Sequence, residues 1–150
     1  MSLAKHLARQ SATVAQLIQL LETEVQVLAE GKVDGQRLNQ LAVDKQALLS
    51  EIEQLETQRQ YAQGRLGYGS GHQGAARAAA DAGCLATWQQ LLEQAGRAQQ
   101  LNRLSGETIR KRLEHNQRML NFLHEAAGKS LYGPDGQARR GSLCNIDSRA

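Results

Sequence analysis

The sequence predicts an all-α protein: an elongated antiparallel helical bundle in which a long helical hairpin is joined by a long third helix and followed by a flexible C-terminal tail. Apolar residues recur at steps of three and four over most of the 150 residues, and aromatic residues make up only 3% of the chain. The single proline, Pro134, lies close to the carboxyl end. Because glutamine, leucine, alanine and charged residues dominate, the composition is typical of long helices and coiled coils.

The first predicted helix covers residues 3–30. Leu7, Val14, Leu21 and Leu28 recur every seven residues and give the helix one apolar face. Gly31 is the expected C-terminal cap, because glycine adopts the left-handed conformation that ends many helices. A short polar link follows.

The second predicted helix covers residues 35–66 and begins after Asp34, a favourable N-cap residue. Its apolar residues keep the same spacing, except that Lys45 and Arg59 occupy two of the inward positions. Their aliphatic stems are expected to pack while their charged ends reach water. Because so few residues join the two helices, they are expected to form an antiparallel hairpin.

A glycine-rich segment over residues 64–74 predicts a flexible loop. The glycines do not form a phosphate-binding loop, since no strand precedes them and no Gly-Lys-Ser/Thr follows. After this loop, a third helix is predicted over residues 78–127, because its apolar seam keeps one heptad phase past Gly106. A kink or break at Gly106 is the main alternative, as glycine weakens a helix by about 1 kcal/mol relative to alanine.

The length of the third helix predicts an exposed binding face. At 1.5 Å per residue, two helices of about 45 Å do not cover one of about 75 Å, so its far end must overhang or bend back. An overhang leaves an apolar stripe in water, which suggests a protein-binding site. Asn116, within that stripe, either fixes helix register or faces a partner's backbone. The apolar residues concerned are Ile109, Leu113, Leu120, Phe122 and Leu123.

The helical body is expected to occupy residues 1–130 and the tail residues 131–150. The tail opens with Leu131 and the motif Tyr132-Gly133-Pro134-Asp135-Gly136, where proline stops the helix and the glycines permit a turn. Tyr132 places a scarce aromatic ring at this junction and suggests a contact surface. Further along, Leu143 and Ile146 are isolated apolar residues that would close over a bound helix or remain idle.

Composition argues against several classes of function. The net charge is only +3, and the one basic cluster, residues 110–112, spreads around a helix, so nucleic-acid binding is not expected. No apolar run is long enough to insert into a membrane or to form a signal peptide. Cys84 and Cys144 are far apart, which favours a reducing, cytoplasmic location, and Cys84 is expected to be packed rather than reactive.

Catalysis and bound cofactors are not expected either. The four histidines have neither the i, i+3 nor the i, i+4 spacing of helical metal ligands, and no Ser-His-Asp arrangement is apparent. The sequence therefore predicts no enzyme, no metal site and no cofactor.

Three stretches of the sequence form a recognisable combination: the leucine-rich residues 48–56, residues 101–117 with Leu120 and Leu123, and, most specific of all, residues 131–137, Leu-Tyr-Gly-Pro-Asp-Gly-Gln. On these stretches the chain resembles the FlgN family of flagellar export chaperones over nearly its whole length. The glycine-rich loop and the alanine run at residues 78–80 are not part of that resemblance.

The resemblance implies a small cytoplasmic chaperone that binds the C-terminal helices of the two hook–filament junction proteins and delivers them, unassembled, to the export gate. It implies that binding uses the chain from about Ile109 onward, namely Ile109, Leu113, Asn116, Leu120, Phe122, Leu123, Leu143 and Ile146. It also implies that Tyr132 docks on the cytoplasmic domain of the gate. The chaperone could itself be a homodimer. A self-assembling structural coiled coil and a regulator that pairs with a transcription factor are the open alternatives.

Overall fold

Four helices make up the part of the chain that the computed structural model describes, which is the backbone of residues 2–131 and the side chains of residues 2–128. They are α1 (Leu3–Ala29), α2 (Gly35–Arg65), α3 (His72–Asp81) and α4 (Leu85–Leu131). No strand occurs in this part of the chain, so the all-α prediction is confirmed. The chain divides into an N-terminal unit, Met1–Thr108, and a C-terminal unit, Ile109–Ala150.

Helix α1 ends one residue earlier than predicted and without the expected glycine cap. Ser2 caps its start, since the Ser2 hydroxyl accepts a hydrogen bond from the Lys5 N–H at 3.3 Å. At the other end Glu30 is extended (φ −65°, ψ 143°), and its N–H donates to the carbonyl of Val27 at 3.3 Å. Gly31 does not have a positive φ. An extended residue, rather than a left-handed glycine, therefore ends this helix.

Helices α1 and α2 form the predicted antiparallel hairpin. Asp34 caps α2 as expected, because its Oδ1 accepts the N–H groups of Gln36 and Arg37 at 3.1 and 3.3 Å. Early residues of α1 meet late residues of α2: His6 Nε2 lies 2.8 Å from the carbonyl oxygen of Leu55. At the opposite end, Lys45 pairs with Glu24 at 3.0 Å.

The charged ends of the two inward basic residues of α2 bind protein side chains, whereas the sequence predicted that they would reach water. Lys45 Nζ contacts both carboxylate oxygens of Glu24, a residue only 4% exposed. Arg59 is itself buried, and its guanidinium binds Glu56 and Gln63. Both stems pack as predicted, and a carboxylate binds each charged end: the buried Glu24 binds Lys45, and the half-buried Glu56 binds Arg59.

The prediction of a flexible glycine loop over residues 64–74 is wrong at both ends. Helix α2 continues through Gly64 to Arg65, and the separate helix α3 begins at His72 and includes Gly74. The turn between them is held by hydrogen bonds, because Gln63 Nε2 donates to the carbonyls of Gly69 at 2.7 Å and Gly71 at 3.2 Å. The alanine run predicted to open the long helix belongs to α3 instead.

Helix α4 starts at Leu85, after a turn in which Gly83 has a φ of 71°, and not at residue 78. It then runs for 47 residues without interruption at Gly106, so the single-helix interpretation is confirmed and the break is not observed. Its first half lies alongside α1 in the same direction: the Ser11 hydroxyl donates to Gln94 Oε1 at 2.8 Å, and Arg97 pairs with Glu22 at 3.3 Å.

The core of the N-terminal unit is built around α1. One cluster joins α1 to α3 and to the start of α4, and it includes Cys84, which is packed as predicted. A second cluster joins α1 to the next turns of α4, and α2 contributes partly buried side chains to both. The buried members are Leu7, Val14, Ala75, Ala79, Cys84, Trp88 and Leu91 in the first cluster, and Leu17, Leu21, Ala98 and Leu101 in the second.

Replacing Gly74 or Gly106 by alanine should have opposite effects on stability. A Cβ at Gly74 would collide with the Tyr68 carbonyl oxygen and lie 2.8 Å from Gln63 Nε2, whereas a Cβ at Gly106 meets nothing within 4 Å. We expect Gly74→Ala to lower the free energy of unfolding by about 1–3 kcal/mol and Gly106→Ala to raise it by about 0.5–1 kcal/mol. Urea unfolding followed by far-UV circular dichroism measures both. Equal stabilisation by the two substitutions would contradict the close packing of the turn.

Candidate functional site

The apolar side chains exposed on α4 beyond Thr108 are the strongest candidate for a functional surface. Six large apolar residues on about four turns of helix leave an unusual amount of apolar surface in water, which normally marks a contact with another molecule. Their exposed fractions are Ile109 40%, Leu113 63%, Met119 48%, Leu120 50%, Phe122 63% and Leu123 53%.

Five of the residues predicted to bind substrate share one side of the helix, which we call the seam face: Ile109, Leu113, Asn116, Leu120 and Leu123. At 100° per residue, all five lie within about 40° of a common line along α4. The face is about 20 Å long at 1.5 Å per residue. A single helix from another protein has the right width and length to lie against it.

Phe122 does not belong to the seam face, although the sequence analysis grouped it there. Its position on the helix is about 140° from the midline of the seam face, so its ring lies on the opposite side of α4. Apolar residues share a helix face when successive members are three or four residues apart, because such steps return to a similar angle. Phe122 follows Leu120 by two residues and so leaves the pattern.

The two edges of the seam face carry basic and neutral side chains. Arg110 lies about 100° to one side of the midline and Arg112 about 60° to the other. Further along, the edges are formed by Gln117, Met119 and His124. Glu114 and Glu125, the acidic residues of this part of α4, lie at about 140–160°, on the opposite side of the helix. This segregation was not predicted from the sequence, because residues 110–112 were placed around the helix without comparing their positions with those of Glu114 and Glu125.

Three other predicted contact residues, Tyr132, Leu143 and Ile146, lie outside the described residues, as do all of residues 132–150 of the predicted tail.

A cavity of about 150 Å³ in the N-terminal unit is the second candidate. Its wall combines α1, α2, α3 and α4 side chains, among them Leu3, His6, Leu7, Arg59, Ala62 and Trp88. The guanidinium carbon of Arg59 lies 4.7 Å from the centroid of a Trp88 ring, within the range of a cation–π contact. Arg59 also donates from Nε and Nη2 to the two Glu56 oxygens at 2.9 and 2.7 Å, and from Nη1 to Gln63 at 2.6 Å.

These contacts give Arg59 a structural role. The carboxylate of Glu56 balances its charge, so the cavity does not offer an unpaired cation to a ligand. Burial on its own raises the pKa of Glu56, but the hydrogen bonds from Arg59 and Gln60, the charge of Arg59 and the hydrogen bond from Gln10 outweigh it and hold the pKa below its ordinary value of 4.5.

Across residues 2–131, no cluster of three or more His, Cys, Asp and Glu side chains is arranged to bind a metal ion. Nor does any helix in that range combine the length and the apolar character needed to cross a membrane.

The described residues thus define an all-helical protein with an apolar helix face suited to contact with another polypeptide. Comparison with known proteins places it in a family: the model of the family described as "FlgN protein" matches residues 1–140, and the chain belongs to the FlgN family.

Similar proteins carry the same family name. The chain is 28% identical to the flagella synthesis protein FlgN of Salmonella typhimurium over 135 residues, which is 90% of this chain and 89% of the relative. It is 28% identical to the protein of the same name from Yersinia enterocolitica, covering 90% and 92% of the two chains. The Escherichia coli K12 relative is 25% identical, over 90% and 88%. No solved structure gives a significant match.

Replacing Arg59 should weaken the N-terminal unit and alter its response to acid. Arg59→Met leaves the Glu56 carboxylate and Gln63 Oε1 without their guanidinium partner, and we expect a loss of about 2–4 kcal/mol at neutral pH. Because the pKa of Glu56 is lowered by folding, the pair stabilises the fold above about pH 4.5, and this contribution disappears as the pH falls through the lowered pKa. The variant should therefore lose less stability than the unchanged chain between about pH 5 and about pH 3.

Urea unfolding at several pH values, followed by circular dichroism, tests this expectation. Arg65→Met is the matched control, since Arg65 also lies over an aromatic ring, that of Tyr61 at 5.8 Å, but both residues are exposed. It should change stability by less than about 0.5 kcal/mol. Equal effects of the two substitutions would show that burial of Arg59 is not what matters.

Proposed function

We propose that this protein is a cytoplasmic flagellar export chaperone that binds the C-terminal helices of hook-associated proteins. In this role it prevents their premature assembly and delivers them to the export gate. Membership of the FlgN family and the names of the relatives, flagella synthesis proteins, support the flagellar setting. The exposed seam face on α4 is the single observation that carries the chaperone mechanism.

The mechanism follows from the chemistry of that face. Helices that later assemble into a filament junction carry apolar stripes, and these stripes aggregate if they remain in water. Ile109, Leu113, Leu120 and Leu123 offer a complementary stripe that is already exposed, so binding requires no rearrangement of a closed core. Burial of apolar surface supplies the affinity, and neither a nucleotide nor a metal takes part.

The remaining contacts have distinct proposed roles. Asn116, in the middle of the seam face, pairs with a polar group of the bound helix and fixes its register. Leu143 and Ile146 close over the bound helix from the tail. Phe122 contributes only if the bound partner extends around to the opposite side of α4. Tyr132 docks on the cytoplasmic domain of the export gate.

Removing leucine side chains from the seam face should abolish binding to a hook-associated subunit. The double substitution Leu113→Gln with Leu120→Gln keeps good helix formers and adds no charge. If the partner buries both leucines, each loss costs about 1.5–3 kcal/mol, so the dissociation constant should rise by about a hundredfold or more. Isothermal titration calorimetry of the purified chaperone with the subunit measures this change.

Leu104→Gln is the matched control. Leu104 is 47% exposed on the same helix, but it lies in the N-terminal unit and about 140° from the midline of the seam face. It should bind the subunit normally. Undiminished binding by the double variant would refute the proposed site. Polymerisation of the chain alone, lost in the double variant, would favour the self-assembling structural coiled coil.

Tyr132→Ala should separate binding from delivery. The variant is expected to hold the hook-associated subunit with unchanged affinity but to reduce its export, because the lost ring contacts the gate and not the subunit. Calorimetry measures the first property, and the amount of subunit secreted by cells carrying the variant measures the second. Weaker binding to the subunit would instead place Tyr132 in the substrate contact.

A further inference from the structure

The cavity in the N-terminal unit has a buried floor and an exposed mouth. Leu7 of α1 and Trp88 of α4 belong to the floor, and both side chains are buried. On the α2 side, Gln58, Ala62 and Leu66 line the cavity at intervals of four residues and are exposed, Leu66 to 70%. A small molecule can therefore enter from solution beside α2 and reach an apolar interior.

The inner polar side chains on the wall of the cavity already have hydrogen-bond partners. Each of the three guanidinium nitrogens of Arg59 donates to Glu56 or Gln63. Gln63 accepts from Arg59 and donates to two backbone carbonyl groups. His6 Nε2 lies 2.8 Å from the carbonyl oxygen of Leu55. Because ordered water needs several polar partners of its own, the interior suits an apolar guest better than water.

The volume and the charges of the cavity define the guest. Protein interiors leave few voids larger than a water molecule, and about 150 Å³ is enough for one six-membered ring. None of the described residues on the wall is an Asp or Glu. The guanidinium carbon of Arg59 lies 4.7 Å from the centroid of a Trp88 ring, so a second cation at this ring would be repelled by the first. Because Glu56 neutralises Arg59, the wall does not favour an anion either.

We propose that this cavity is a binding site for one small, uncharged, single-ring aromatic molecule. Contact with the apolar wall removes the ring from water, and Trp88 adds an aromatic neighbour, which favours a ring over an aliphatic chain. A charged group on the guest would lose its hydration without gaining a partner of opposite charge. The site is separate from the seam face, because every residue that lines it belongs to the N-terminal unit.

Toluene, benzylamine and benzoate, added to the full chain, test the class of guest. Trp88 is the only tryptophan of the chain, so its indole N–H gives a single signal in a nitrogen–proton NMR spectrum and reports on the cavity. Toluene should shift this signal saturably, with a dissociation constant of about 1 mM. Benzylamine and benzoate, which are charged at neutral pH, should bind at least about tenfold more weakly. No saturable shift with toluene, or equal affinities for the three compounds, would overturn the proposal.

Filling the mouth of the cavity provides the second test. Ala62→Leu places a larger side chain on the wall, at an exposed helix position that tolerates leucine, and should weaken toluene binding at least about tenfold. Ala47→Leu is the matched control, since Ala47 is exposed on the same helix but does not line the cavity. It should bind toluene as the unchanged chain does, and circular dichroism checks that both variants remain folded. Equal toluene affinities in the two variants would show that the ring does not enter the cavity.

The outcomes separate this inference from the proposed function. The Leu113→Gln, Leu120→Gln variant should bind toluene with unchanged affinity although it loses the hook-associated subunit. Loss of toluene binding in that variant would place the ring on the seam face and overturn the cavity site. If the hook-associated subunit shifted the Trp88 signal and toluene did not, the cavity would belong to a polypeptide side chain and the proposal would also be wrong.

Discussion

Burial of one helix, α1, is the constraint on which the rest of the N-terminal unit depends. Nine of its 27 residues are buried, whereas α2 buries only Leu55, Arg59 and Gln63 over 31 residues. Three of the buried residues of α1 are polar, and each has a partner. Gln10 donates to Glu56 at 3.2 Å, Thr13 donates to a backbone carbonyl of its own helix at 3.0 Å, and Glu24 binds Lys45. The neighbours of α1 are therefore specified by polar pairing as well as by apolar packing.

Arg59 connects the hairpin of α1 and α2 to the rest of the N-terminal unit. Its guanidinium contacts Trp88 of α4, and its hydrogen bond orients Gln63. Gln63 in turn binds two carbonyl groups of the turn that precedes α3. One buried cation thus connects α2 to α4 and, through an amide, to a turn rich in glycine. A glycine-rich segment has a fixed conformation here because neighbouring side chains supply the hydrogen bonds that its own side chains lack.

Periodic segments were predictable from the sequence and the joins between them were not. The leucine spacing of α1 and α2 predicted both helices to within a residue at each end, since a helix of that length has only one way to bury such a stripe. Helix α3 was missed because Gly71 and Gly74 resemble a loop. Gly74 occurs within a helix because the Tyr68 carbonyl approaches too closely for a Cβ, and this contact between segments leaves no mark in local sequence.

At the candidate site on α4, residue spacing again predicted some features and missed others. The seam positions from Ile109 to Leu123 follow from their three- and four-residue spacing alone, and their exposure agrees with the expectation drawn from helix length. The different side occupied by Phe122 follows from angular position, which an apolar count ignores. The role of Arg59 did not follow from sequence, because an inward arginine can either extend its charged end to water or bind a carboxylate and an aromatic ring within the protein.

In the proposed function, the exposed apolar face has to prefer the helix of its partner to other amphipathic helices. Four apolar side chains supply several kcal/mol when covered, which is too little discrimination to distinguish one amphipathic helix from another. An edge charge pair contributes about 0.2–1 kcal/mol, which is small for affinity but comparable to the difference between competing helices. In the proposed function, affinity therefore comes from the apolar seam face, and selectivity comes from polar contacts made beside the apolar stripe, so the two properties can change independently through different residues.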